Sequence, residues 1–274
     1  MVDAGEGPPV VLLHGYGDTA DGWHRVVPAL LEDHRVIALD LPPFGRSGTP
    51  EGVQLTRFYG DFFPALFEQL EVGPTTLIGH SLGGALALHL AIAAPPLVCR
   101  LGLVGSAGLG SAPTWWWHLI AGNKVLWRAA LSVPNPVTPL LIREGMRRFL
   151  NWRLVEDSRH SSIAVEHLVR LNSASTKDFE ALIAAGRDLL PSYSGTLLED
   201  SKVIDCPKWV AWGRNDSLAP VAHARAFAEA HPDAELHLFD RCGHYPQVER
   251  WRGFNSKLRK WLEATADQGA ERAA

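Results

Sequence analysis

Four short apolar runs divide the first hundred residues. Pro9-Val10-Val11-Leu12-Leu13 ends at His14-Gly15, Arg35-Val36-Ile37-Ala38-Leu39 ends at Asp40, Thr75-Thr76-Leu77-Ile78 runs into Gly79, and Leu101-Gly102-Leu103-Val104 completes the set. Their apolar character is continuous rather than alternating, which fits strands buried on both faces. Helical patterns at Thr56–Leu70 and Leu82–Ala93 lie between them. Strands alternating with helices predict an α/β fold, a mostly parallel sheet flanked by helices. The alternation resumes with a strand over Lys208–Trp212, a helix over Val221–Ala230 and a strand over Glu235–Phe239. Between them, residues 110–191 carry helical patterns, scattered Trp, Arg and Pro, and no strand pattern. We read them as a helical cap inserted after the fourth strand, dividing the core into residues 1–109 and 192–274.

With 274 residues, one domain with a large insertion is the expected organisation. A formal net charge of -4 gives no reason to expect a nucleic-acid partner. Cys99, Cys206 and Cys242 are too few and too far apart for a disulfide framework or a CxxC metal pair, so they are expected to be buried thiols. The N-terminus has acids where a signal peptide would be basic, and the longest apolar stretch, Leu82–Val98, is broken by glycines, His89 and two prolines. A cytoplasmic protein without membrane insertion is the expectation. The last residues, ATADQGAERAA, read as a frayed polar tail.

Gly79-His80-Ser81-Leu82-Gly83 sits between a predicted strand and a small-residue helix. A serine in such a turn is held in a strained conformation that exposes its hydroxyl, and the flanking glycines allow the close packing this needs. A serine hydroxyl is a weak nucleophile at neutral pH and requires a base, which in turn requires an orienting group. Asp216 follows the strand at Lys208–Trp212, and His244 follows the strand at Glu235–Phe239. All three candidates therefore leave the carboxyl ends of parallel strands, where open α/β sheets place their sites. The alternatives are weaker. His14 and His80 read as packing residues of the two turns, Asp240 as a local turn residue four positions before His244, and Asp40 as a structural turn. No His/Asp/Glu spacing resembles a metal site.

Together, His14-Gly15-Tyr16-Gly17, Asp40-Leu41-Pro42-Pro43-Phe44-Gly45-Arg46-Ser47, Gly79-His80-Ser81-Leu82-Gly83-Gly84, Asn215-Asp216 and Gly243-His244 resemble the α/β-hydrolase superfamily, in particular its capped serine esterase and meta-cleavage-product hydrolase branch. The resemblance runs from about Pro9 to about Leu262. It implies Ser81 as nucleophile, His244 as general base and then acid, and Asp216 as the orienting carboxylate. It also implies an oxyanion hole from the backbone N–H groups of Leu82 and Tyr16, with no cofactor. Haloalkane dehalogenases and epoxide hydrolases share the fold but use an aspartate at the elbow, so Ser81 points to acyl transfer.

Two departures stand out. Only eight residues precede Pro9, too few for the antiparallel hairpin that usually opens this fold, so the Arg35–Leu39 strand is expected at a sheet edge, open to pairing with a second copy in a homodimer. Pro43 stands where the family loop commonly has glycine.

Half of the ten Trp fall in the insertion: Trp115, Trp116, Trp117, Trp127 and Trp152. Because caps in this family cover the catalytic cleft, Trp115, Trp116 and Trp117, with Tyr245 beside His244, are the candidate substrate-binding residues. Residues 112–153 hold a local excess of five positive charges, from Lys124, Arg128, Arg143, Arg147, Arg148 and Arg153 against Glu144. This reads as a solvated face, with attraction of an acidic substrate as the alternative. The expected activity is hydrolysis of small to medium carboxylic esters with an apolar or aromatic part. Carbon–carbon hydrolysis of ring-cleavage products is the alternative, weakened because the loop after His14-Gly15 lacks the Gly-Pro-Gly run that branch often shows. Thioesterase, lactonase and perhydrolase chemistry would use the same residues. A non-catalytic ligand-binding scaffold is the reading from a different class.

Overall fold

The computed structural model describes residues 1–50, 52–111, 137–153, 165–171, 176–193 and 197–273. Seven strands form one sheet: β1 (Val2–Ala4), β2 (Pro9–Leu13), β3 (Arg35–Leu39), β4 (Thr75–His80), β5 (Val98–Val104), β6 (Lys208–Gly213) and β7 (Glu235–Phe239). Their spatial order is β1-β3-β2-β4-β5-β6-β7, parallel throughout except for β1.

The strand side chains alternate between two buried cores, as the period of two requires. Val11, Leu13, Ile37, Leu39, Leu77, Leu101 and Val210 face one side. That side is covered by α1 (Leu55–Gln69), α2 (Leu82–Ala93) and α5 (Val221–Ala230), which contribute Phe63, Phe67, Leu86 and Phe227. Val10, Leu12, Val36, Ala38, Ile78, Trp209 and Ala211 face the other, against Trp23 and the Phe254, Leu258 and Trp261 stripe of α6 (Trp251–Ala264). Trp209 meets Phe254 edge-on at 5.1 Å and stacks with Trp261 at 6.1 Å. Of the five Trp outside the insertion, Trp23, Trp209, Trp212 and Trp261 are core residues.

The N-terminal edge differs from the expectation. No hairpin precedes β2, but Val2–Ala4 alone forms β1 and pairs antiparallel with β3, Val2 lying opposite Ala38. The Arg35 guanidinium fixes this short strand through two bonds to the Asp3 carboxylate, at 2.8 and 3.0 Å. The edge of β3 is thus occupied within the chain, which removes the argument that a second copy must cover it. The C-terminal residues also depart from a frayed tail: Ala266–Ala273 form α7, which packs on β4 and β5 through Gly269.

Between residues 137 and 193 the described residues are helical: α3 (Val137–Arg153), a segment over 165–171, and α4 (Thr176–Tyr193). Hydrogen bonds tie these described residues to the core. Asp188 Oδ2 accepts the N–H of Leu55 at the start of α1 at 2.6 Å, the Tyr16 hydroxyl donates to the Leu182 carbonyl, and Thr19 Oγ1 bonds His167 Nε2 at 3.1 Å.

Candidate active site

β4 ends at His80 and α2 begins at Leu82, so the chain reverses direction on Ser81 alone. Its backbone adopts φ 52° and ψ −115°. Holding a non-glycine residue there costs about 1–3 kcal/mol, which the surroundings must supply. They do so through the main chain. Ser81 N–H donates to Val104 O at 2.9 Å, and Ser81 O accepts from Ala107 N at 3.0 Å and Ala85 N at 3.1 Å. The turn also needs close backbone approach. A Cβ on Gly83 would run into the carbonyl oxygens of Leu13 and His14, and one on Gly79 into the carbonyl of Gly83. The loop after β2 therefore lies directly against the elbow, within reach of the Ser81 side chain.

That loop carries Tyr16, and the placement of its side chain is informative. The ring packs edge-on against Phe44 at 5.5 Å, and its hydroxyl is turned away to α4. Burial pushes the Tyr16 phenol far above its ordinary value. Only its main chain is left to face the elbow. Leu82, as the first residue of α2, has an N–H with no intrahelical acceptor, at the end of the helix that favours negative charge.

On the other side of Ser81 the loops after β6 and β7 meet. His244 Nδ1 lies 2.7 Å from Asp216 Oδ2, with both side chains almost fully buried. The other carboxylate oxygen of Asp216 accepts the N–H groups of Leu218 and Ala219, each at 2.9 Å. Gly105, at the end of β5, takes φ +49° beside this pair: a Cβ there would stand 3.3 Å from His244 Nδ1 and 3.4 Å from Asp216 Oδ2. Asp240, the competing orienter, turns outward and pairs with Arg214 at 2.6 Å.

The sequence reading missed the supports of His244. The buried Glu249 carboxylate accepts from Gly243 N, at 3.0 Å from Oε1 and 3.1 Å from Oε2, and from Tyr245 N at 3.2 Å, so it clamps the peptide groups on either side of the histidine. His80 Nε2–H donates to the His244 carbonyl at 2.8 Å. The only signal for Glu249 was an acid three residues after Pro246 and five after the histidine.

The two elbow histidines are structural in placement. Leu41 N–H donates to His14 Nε2 at 2.8 Å, so the proton sits on Nδ1, which donates to Gly15 O at 2.7 Å. Burial holds His14 down at about 4, hence neutral. Burial and the neighbouring His244 push His80 well below the ordinary histidine value. Asp40 is the structural turn that was expected: it accepts from Ala20 N at 2.8 Å and from Arg46 Nε at 2.6 Å. Burial acts to raise Asp40, but these bonds outweigh it and hold the carboxyl well below the usual range.

Asp18, in the loop that carries Tyr16, behaves oppositely. Burial, reinforced by Asp21 and Asp40, pushes its carboxyl up to about 7, against the opposing bond from Thr19 N–H at 2.8 Å. The folded state therefore holds a proton that the unfolded chain gives up near pH 4, and stability falls by about 3–4 kcal/mol as the pH rises from 4 to beyond 7. Asp18→Asn removes that loss. Its melting temperature is expected to exceed that of the wild type at pH 8 and to differ little at pH 4. A difference that stays constant with pH would contradict this.

Trp115, Trp116 and Trp117 lie outside the described residues. Tyr245 is buried rather than open: its ring sits 4.5 Å from His80 and belongs to a cluster with Leu150, Val165, Leu168 and Val169 from the inserted helices. The basic excess of the insertion is partly neutralised within it. Glu166 pairs with Arg143 and with Arg147 (3.2 Å), and Glu144 with Arg147 (2.9 Å) and Arg148 (2.8 Å). This favours the solvated-face reading.

Known proteins match this architecture. The family model of the alpha/beta hydrolase fold matches residues 8–250, and the chain belongs to that family. Among curated relatives, a 2-hydroxy-6-oxo-2,4-heptadienoate hydrolase of Pseudomonas putida is 29% identical over 96% of this chain and 91% of its own length. A 2-hydroxymuconate semialdehyde hydrolase of a Pseudomonas species is 30% identical over 98% and 91%. Among solved structures, a thermophilic esterase from Thermogutta terrifontis superposes with a TM-score of 0.78 at 24% identity, covering 96% of this chain and 92% of that one. A meta-cleavage product hydrolase from Pseudomonas fluorescens superposes with the same TM-score, 0.78, at 25% identity over 96% and 93%.

Proposed function

We propose that this hydrolase uses Ser81, His244 and Asp216 to cleave the carbon–carbon bond of a 2-hydroxy-6-oxo-dienoate. The observation that carries this reading is the agreement of two relatives, each aligned over 91% of its length and each named for a hydrolase of that substrate class. The motifs alone favour an ester; the relatives weigh the other way. In the proposed reaction Ser81 Oγ adds to the 6-oxo carbon as His244 takes its proton. The oxyanion rests on the N–H groups of Leu82 and Tyr16, where losing one donor typically costs about 3–4 kcal/mol. Collapse breaks the carbon–carbon bond. The electron pair needs a sink, so the substrate reacts as its 2-oxo-3-ene tautomer, the 2-hydroxyl proton having moved to C5. The pair then passes into the 2-oxo group as a dienolate, which takes the proton from His244, and water releases the acyl group as a carboxylic acid. One water is consumed and nothing is oxidised or reduced.

Ester hydrolysis through the same residues is the second reading. It is favoured by Tyr16-Gly17-Asp18-Thr19 standing where carbon–carbon hydrolases often carry Gly-Pro-Gly. The two separate in one panel of 2-hydroxymuconate semialdehyde against p-nitrophenyl acetate, butyrate and octanoate. A dienoate kcat/KM at least tenfold above every ester supports the first reading, and the reverse order replaces it with the second.

A further inference from the structure

The strands that present the elbow at their carboxyl ends border a cavity at their amino ends. It has a volume of about 580 Å³, within the range that holds small organic ligands. Its walls are largely apolar, built by Pro9, Pro74, Cys99, Leu262 and Ala266. β4 separates the two ends by roughly 15–20 Å, at about 3.3 Å per residue, so this cavity lies apart from Ser81.

Arg100 stands in this apolar wall. It is only 4% exposed, a burial at which an arginine is normally paired with a carboxylate. Its guanidinium donates from Nε to Thr76 Oγ1 at 2.8 Å and from one Nη to Leu262 O at 2.9 Å. The Cys99 side chain also meets the guanidinium, and burial keeps its thiol neutral, so none of these partners among the described residues is a carboxylate. The backbone of α7 closes over the group: a Cβ on Gly269 would stand 3.1 Å from Arg100 Nε. Among the described residues, the other charges lining the cavity are turned elsewhere. Asp33 is taken by His34 at 2.8 Å and by Arg259 at 3.2 Å, and Glu263 is exposed at the rim. A buried cation whose acceptors among the described residues are all neutral, set in the wall of an apolar cavity, has the complementarity of one ligand type, an anionic head on an apolar body.

We propose that this cavity binds a small monocarboxylate, its carboxylate on Arg100 and its hydrocarbon part along Pro9, Pro74 and Leu262. The proposal stands independently of the reaction at Ser81. Octanoate and 1-octanol, titrated into the full chain by calorimetry, test it. Octanoate is expected to bind at least tenfold more tightly than 1-octanol. Arg100→Gln is expected to weaken octanoate by at least tenfold while leaving 1-octanol within about twofold. Ala266→Trp fills the cavity from an exposed position on α7, so it keeps the test usable should Arg100→Gln fail to fold, and it is expected to abolish binding of both. Octanoate binding no tighter than that of 1-octanol, or unchanged in Ala266→Trp, overturns the proposal, the latter outcome placing the acid elsewhere.

Discussion

Ser81→Ala is expected to lower turnover of the preferred substrate by at least roughly 10⁴-fold while leaving the protein folded. The elbow is maintained by the main chain, not by the hydroxyl. The Ser81 N–H and carbonyl make bonds to Val104, Ala85 and Ala107, and no hydrogen bond from its side chain caps α2. Alanine meets the same steric penalty at φ 52°, so the melting temperature should move by no more than about 1–2 °C. Ser81→Gly is the informative companion. Glycine relieves the left-handed strain and should stabilise the fold by about 1 kcal/mol while remaining equally inactive. Together the two variants separate the chemistry of the hydroxyl from the geometry of the turn. Activity within tenfold of wild type in Ser81→Ala would sink the acyl-enzyme route for esters and dienoates alike. The same variant that lost activity by unfolding would show it in the melt.

How much of this was legible beforehand follows a physical division. The core strands could be read because both of their faces are buried and the apolar signal is local. Even so, β4 runs two residues further, through Gly79-His80, and β5 starts three earlier, at Val98, because pairing with neighbours overrides composition at strand ends. That Ser81, Asp216 and His244 lie at one edge of the sheet was legible because each follows a strand, and parallel strands deliver their ends to one edge. Elements set by distant partners were not. β1 has only Val-Asp-Ala to announce it and exists because β3 offers an open edge and Arg35 holds Asp3. α7 has little apolar pattern and is held through Gly269 against Arg100. The charge count over residues 112–153 stopped before Glu166, which pairs across helices with two of the arginines. The Glu249 clamp on His244 depends on a turn at Pro246 that no spacing rule describes.

Asp216→Asn tests the remaining link, and its effect can be argued from the hydrogen bonds around one carboxylate. Oδ1 accepts two main-chain N–H groups, from Leu218 and Ala219, while Oδ2 faces His244 Nδ1. An asparagine there can keep the first pair only by placing its carbonyl oxygen toward Leu218 and Ala219. Its NH₂ then points at His244 Nδ1, which must become an acceptor, so the imidazole proton moves to Nε2. In that tautomer the ring nitrogen intended for the Ser81 proton already carries one. The opposite amide orientation keeps the useful tautomer but sets two N–H donors against the NH₂ at a fully buried position, costing about 1–3 kcal/mol for each unsatisfied donor. The first orientation wins on this count. Turnover is therefore expected to fall about 10⁴-fold with a melting temperature close to wild type, and labelling of Ser81 by a fluorophosphonate should slow in parallel. A loss confined to KM with kcat retained, or labelling at the wild-type rate, would show that Asp216 positions the loop of Leu218 and Ala219 rather than the histidine.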